Sequence, residues 1–99
     1  MNDNERERLI QKIMDEDNCT YNMAINIFIQ LGKVHPALKE VVDSWKNGVE
    51  LPFEFNGVTM DYILKKQYGT YLEAIFTMSG LLEMPDRIES YVSMDLTWD

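Results

Sequence analysis

The feature that most constrains the fold is the recurrence of apolar side chains at intervals of three and four residues. Charged residues separate the members of the clearest stripe, which are Leu38, Val41, Val42 and Trp45. This spacing places the apolar side chains on one face of a helix and the charged ones on the other. Related stripes predict five helices, over about 3–16, from Thr20 to Gly32, from Pro36 to Gly48, from Thr59 to Gly69 and over about 71–83.

Several of these helices begin at residues that satisfy free backbone groups. Thr20 is suited to accept the first N–H groups of the second helix, and Thr70 with Glu73 forms the capping-box pattern at the start of the fifth. The second and fifth helices are apolar on more than one side. Because such helices are normally buried, we predict that both are central to the core.

A period of two replaces the helical period over residues 49–55. Apolar residues alternate there with glutamate or proline, which predicts a strand buried on one side. Asn56 and Gly57 follow as a strong turn signal. Beyond the turn, Val58 and Met60 could pair back as a hairpin, or Thr59 could cap a short helix. We favour a strand, a short return and then the helix.

The carboxyl-terminal residues fit two patterns. Ile88, Tyr91 and Val92 have the spacing of a short helix, whereas apolar and polar residues alternate from 91 onward as in a strand. The strand accounts for more residues and gives residues 49–55 a partner, which a lone strand needs for its backbone groups. We therefore predict a single α+β domain over 1–99, with about five helices around one core and a small antiparallel sheet from residues 49–60 and 91–98. An all-α fold is the alternative.

The charge of the chain is strongly negative and unevenly distributed. Seventeen acidic residues face nine basic ones, and residues 67–99 hold six of the acids but a single base. Nucleic-acid binding depends chiefly on lysine and arginine, so direct contact with DNA or RNA is disfavoured. The same field attracts basic proteins, which makes a larger, basic protein the predicted partner.

The residue types that carry catalysis and ligand binding are scarce. One histidine and one cysteine exclude a zinc site of the usual composition within one chain, and the five glycines are too scattered to form a phosphate-binding loop. We therefore expect no cofactor, no metal site and no enzymatic activity. The single cysteine cannot form an intrachain disulfide, and no apolar stretch is long enough to span a membrane, so we expect a cytoplasmic protein.

A partial resemblance to a known family involves two pieces of the chain. The stretch over residues 20–28, TYNMAINIF, followed by Pro-Phe-Glu-Phe at 52–55, resembles the second-helix stretch and the Pro-Phe segment of ribbon-helix-helix antitoxins. In that family an N-terminal strand pairs across a dimer and reads the major groove of DNA. This chain opens instead with a predicted helix, so we do not assign it to that family. An antitoxin-like regulator is kept as an alternative function.

These observations favour a small acidic binding protein without catalytic activity. We expect it to inhibit or regulate a larger protein by docking on a basic, nucleic-acid-binding surface, in the manner of the DNA-mimic inhibitors of phages and mobile elements. The second hypothesis is a homo-oligomeric phage structural or assembly accessory protein, for which a homodimer is the simplest form. The predicted partner-binding residues are Glu73, Glu83, Asp86, Glu89, Tyr91, Asp95, Trp98 and Asp99.

Overall fold

The structure, a computed structural model, describes residues 3–67 and 69–93. The chain forms two compact units, one ending at Val34 and one beginning at His35. The prediction of one domain over 1–99 stays a prediction. The elements in chain order are α1 (Asp3–Asp17), α2 (Tyr21–Leu31), a 3₁₀ turn (Pro36–Leu38), α3 (Lys39–Lys46), β1 (Glu54–Phe55), β2 (Val58–Thr59), α4 (Met60–Gln67), α5 (Tyr71–Glu83), a second 3₁₀ turn (Pro85–Arg87) and α6 (Ile88–Ser93).

The first unit is a pair of helices, α1 and α2, packed against each other. Asn18 has a φ of 51° in the turn between them, a left-handed conformation that asparagine tolerates better than most residues. Thr20 Oγ1 then accepts the backbone N–H of Met23 at 3.3 Å and caps α2 as predicted. The helix predicted over 3–16 and the start of the second helix are therefore confirmed.

The prediction that α2 is central to the core is wrong. Only Ala24 and Leu31 are buried in this helix, while Met23 is 55% exposed and Ile29 is 49% exposed. The physical reason is that a helix covered on one side buries one stripe, however apolar its other sides are.

The second unit begins with the 3₁₀ turn and α3. His35 Nδ1 accepts the backbone N–H of Ala37 at 3.1 Å, and Pro36 occupies the first position of the turn as predicted. The backbone N–H of His35 donates to Ser79 Oγ at 2.9 Å, which ties this entry to α5. Trp45 on α3 is only 1% exposed.

A short hairpin with two residues in each strand follows α3. Glu54 pairs with Thr59 and Phe55 with Val58, antiparallel, across a turn in which Asn56 and Gly57 both have positive φ. This is the turn that suits a tight hairpin. Thr59 also accepts the backbone N–H of Tyr62 at 3.0 Å, so the same residue ends the hairpin and caps α4. The favoured order of strand, return and helix is confirmed, although residues 49–53 of the predicted strand lie outside β1.

Helix α5 is the central helix of the second unit. Its bounds match the predicted range of 71–83, seven of its residues are buried, and it packs against α4. Thr70 caps this helix as predicted, because its Oγ1 accepts the backbone N–H of Glu73 at 3.3 Å. The core position predicted for this helix is confirmed.

The strand predicted over residues 91–98 is wrong for the part that the structure describes. Residues 91–93 belong to α6, the helical alternative, and residues 94–98 lie outside the described residues. The strand was expected because residues 49–55 needed a partner, but β1 and β2 pair with each other instead. With six α-helices and one hairpin among the described residues, the α+β fold class is confirmed.

No helix among residues 3–67 and 69–93 has the length and apolar character needed to cross a membrane.

Candidate functional site

The junction of α5 and α6 holds three of the predicted partner-binding acids. Glu83 is the last residue of α5, Asp86 lies in the 3₁₀ turn and Glu89 in the first turn of α6. All three are exposed, and none forms an ion pair with another described residue. Arg87 is the one basic residue between positions 71 and 93. The junction therefore presents concentrated negative charge to solvent.

A shallow apolar hollow of about 350 Å³ lies at this junction. Met84 in its wall is 49% exposed. Each acid is the chain neighbour of a lining residue, since Glu83 precedes Met84, Asp86 precedes Arg87 and Glu89 precedes Ser90. We call this surface the junction hollow; it is lined by Thr77, Gly80, Leu81, Met84, Arg87, Ser90 and Tyr91.

Gly80 keeps the junction hollow open. A Cβ built on this glycine meets no described atom within 4 Å beyond its own neighbours in the helix. A close helix contact, which a glycine near the end of a helix can indicate, is therefore not formed by the described residues at this position. The missing side chain instead leaves space on the face of α5 that lines the hollow.

The local electrostatics of Glu83 are unfavourable for α5. The carboxyl end of a helix carries partial negative charge, which a basic residue stabilises and an acidic residue destabilises. The last turn of α5 contains no basic residue, and Glu83 ends it. Positions that break a local stability rule are the ones where function is expected.

Comparisons with protein-family models, with curated proteins and with solved structures found no match for this chain.

The other predicted partner-binding residues lie elsewhere or are engaged within the unit. Glu73 lies in the first turn of α5, at the opposite end from the junction, and its carboxylate lies close to Gly69. Tyr91 is half-buried and meets the Tyr62 ring edge-on, with 6.3 Å between centroids. The Lys66 ammonium lies 5.0 Å from the Tyr91 centroid and 5.8 Å from that of Tyr62. Asp95, Trp98 and Asp99 lie outside the described residues.

A second concave feature, which we call the acidic cleft, was missed by the sequence analysis. It has a volume of about 560 Å³ and lies between residues 50–54 and the start of α4, with Tyr71 of α5 in its wall. Its apolar lining includes the half-buried side chains of Phe53 and Leu64. Three exposed carboxylates also line it, from Glu50, Glu54 and Asp61, and no basic residue does.

A buried hydroxyl fixes one wall of the acidic cleft. Tyr71, only 5% exposed, donates its hydroxyl hydrogen to the carbonyl oxygen of Leu51. Burial, together with the smaller effect of the Glu50 and Asp61 charges, raises the pKa of Tyr71 to about 12. The hydroxyl therefore stays protonated and keeps donating at neutral pH. Its pKa is far from the range that suits acid–base catalysis there.

The groups in the acidic cleft suit binding of a positive charge. Among residues 3–67 and 69–93, no three histidine, cysteine, aspartate or glutamate side chains are grouped so that they could hold a metal ion. The carboxylates of the cleft are thus spread around an apolar floor and do not converge on one point. An arrangement of this kind fits an organic cation with an apolar stem better than a bare ion.

Proposed function

We propose that this chain is a non-catalytic binding protein that docks through the junction hollow on a basic surface of a larger protein, of the kind that binds nucleic acid. The observation that carries the proposal is the group of three exposed carboxylates, none of them in an ion pair with a described residue, at the junction that also holds the hollow. Glu83 adds to it, because its charge opposes the dipole of its own helix.

The two components of the surface have different roles in binding. An apolar depression can take an inserted side chain from the partner, and such anchors supply most of the affinity of a protein interface. Exposed charges at the rim contribute less affinity, but they accelerate encounter and disfavour acidic partners. A nucleic-acid-binding surface offers the complementary arrangement, since lysines and arginines dominate it.

The test is capture of partners from the native host by the immobilised chain, followed by measurement of the affinity of the purified partner. We expect binding to the Glu83→Lys/Glu89→Lys variant to be lost, and binding to the wild type to weaken between low and high salt. The matched control is Glu40→Lys/Asp43→Lys, which changes the charge equally at exposed positions on α3. Equal loss in both variants, or affinity independent of salt, would contradict the proposal.

Competition with nucleic acid tests the class of partner. A fluorescent DNA duplex bound to the captured protein should be released when the wild-type chain is added and retained when the Glu83→Lys/Glu89→Lys variant is added. Release of the duplex by both proteins would contradict docking through the junction. Direct binding of the chain to the duplex would instead favour an antitoxin-like regulator.

A homo-oligomeric assembly protein is the second candidate, supported by α2. This helix exposes Met23, Ile29 and, at 42%, Tyr21, and apolar surface left in solvent by one chain can be covered by a second copy. Sedimentation equilibrium of the wild type should then show association at micromolar concentration, and Met23→Glu/Ile29→Glu should be monomeric. A monomeric wild type would remove this candidate.

A further inference from the structure

We propose that the acidic cleft binds the side chain of an arginine in an extended peptide segment. The inference concerns a site separate from the junction hollow and does not depend on what docks there. It rests on the juxtaposition of an apolar floor, three carboxylates at the rim and a wall fixed by a buried hydrogen bond.

The lining matches both parts of an arginine side chain. Phe53 and Leu64 supply apolar surface for the aliphatic stem, which arginine commonly buries while its charged head stays near water. Glu50 and Glu54 lie on the segment that forms one side, and Asp61 lies in the first turn of α4 on the other. A planar guanidinium can donate to two carboxylates at once, which a compact ammonium does less well.

The electrostatic effect on Tyr71 indicates that two of these carboxylates act on the same region of the cleft. Glu50 and Asp61 belong to different elements, yet the charges of both raise the pKa of the same hydroxyl. A cation in the cleft would experience the two charges together. Since no basic residue lines the cleft, no cationic side chain of the lining neutralises them.

The size of the cleft indicates a residue within a peptide. A volume of about 560 Å³ lies in the range of pockets that hold drug-sized ligands, so there is room for a side chain with parts of its neighbours. Residues 50–53 also belong to no strand or helix of the described chain. The cleft is thus bordered by a segment outside the regular elements, beside which a peptide can lie.

The experiment is a titration of the ¹⁵N-labelled full chain followed by amide chemical shifts. The probe is acetyl-Leu-Arg-Leu-amide, compared with acetyl-Leu-Gln-Leu-amide and with free spermidine. We expect the arginine peptide to shift the amides of residues 50–54, 59–64 and 71, and the glutamine peptide to bind measurably more weakly. Equal binding of the two peptides, shifts located elsewhere, or binding of spermidine without the arginine peptide would overturn the proposal.

Variants locate the binding energy. Glu50→Gln and Glu54→Gln should each weaken binding of the arginine peptide about two- to fivefold, as expected for exposed charge pairs. Glu40→Gln/Asp43→Asn on α3 is the control and should bind as the wild type does. Glu50 lies outside β1, so Glu50→Gln tests the proposal even where Glu54→Gln disturbs the hairpin. Unchanged binding to Glu50→Gln would overturn the assignment.

Discussion

The hydroxyl of Tyr71 makes the most direct test of how the acidic cleft is held together. It is buried on α5 and donates to the carbonyl oxygen of Leu51, twenty residues earlier in the chain. Tyr71→Phe removes one hydrogen bond and leaves that carbonyl without its donor, at a total cost of about 1–2 kcal/mol of unfolding free energy. For a chain of 99 residues this corresponds to a melting temperature lower by roughly 5–10 °C.

Tyr21→Phe is the matched control, because it deletes the same atom from an exposed tyrosine. Tyr21 donates to the carboxylate of Glu7 at 2.8 Å and is 42% exposed, so its melting temperature should change by about 2 °C or less. Thermal unfolding followed by circular dichroism compares the two variants. If Tyr71→Phe melted as close to the wild type as Tyr21→Phe does, the reasoning about the cleft wall would be refuted.

The pH dependence of stability gives a second measurement on the same hydroxyl. The pKa of Tyr71 rises from 10.0 in the unfolded chain to about 12 in the folded one, mainly through burial. The folded state therefore retains a proton that the unfolded state loses, and stability falls as the pH rises through this interval. The advantage of the wild type over Tyr71→Phe should be complete below pH 10.0 and disappear as the pH rises through about 12.

Three further substitutions test features of the second unit. Glu83→Gln should raise the free energy of unfolding by about 0.3–1 kcal/mol, because it removes a negative charge from the carboxyl end of α5, and chemical denaturation measures the gain. Gly80→Ala should raise the free energy of unfolding by about 0.5–1 kcal/mol, since alanine favours a helix interior and its Cβ meets open space. A lower free energy of unfolding in the same assay would show that other atoms occupy the space beside Gly80. Lys66→Met should lower stability by about 1 kcal/mol by removing an ammonium from two tyrosine rings, whereas Lys65→Met, its exposed neighbour, should stay within about 0.5 kcal/mol of the wild type.

Helix boundaries were predictable where they depend on local chemistry. Thr70 and Glu73 satisfy backbone groups within one turn of themselves, so the pattern alone determines where α5 begins. The same holds for Thr20 at the start of α2. Which side of a helix is covered depends on distant residues, and for this reason the burial of α2 was predicted wrongly while that of α5 was predicted correctly.

The carboxyl-terminal helix shows how a short alternating pattern can mislead. Ile88 is buried and Tyr91 half-buried, three positions apart, which is one helical turn. Val92, which fitted both the helical and the strand pattern, is 41% exposed. An alternation over so few residues fits a helix with one solvent-facing apolar residue equally well. The strand that needed a partner, β1, pairs with β2 within the hairpin.

The two candidate sites differed in how far sequence could reveal them. Glu83, Asp86 and Glu89 are close in sequence, so their concentration was visible as a local excess of charge. The acidic cleft draws its residues from 50–54, 59–64 and Tyr71. The hairpin brings the first two segments together, but Tyr71 joins them through its contact with Leu51, which no spacing rule gives.

The roles proposed for the junction hollow can be separated by kinetics. If the rim acids steer the partner, Glu89→Gln should lower the association rate and its salt dependence while leaving the dissociation rate nearly unchanged. If the hollow anchors the partner, Met84→Ala should instead raise the dissociation rate, because it removes a 49% exposed apolar side chain from the hollow wall without altering the charge. Surface plasmon resonance with the captured partner measures both rates. If Glu89→Gln and Met84→Ala both changed the association rate alone, or both changed the dissociation rate alone, charge and apolar contact would not act as separate components of this surface.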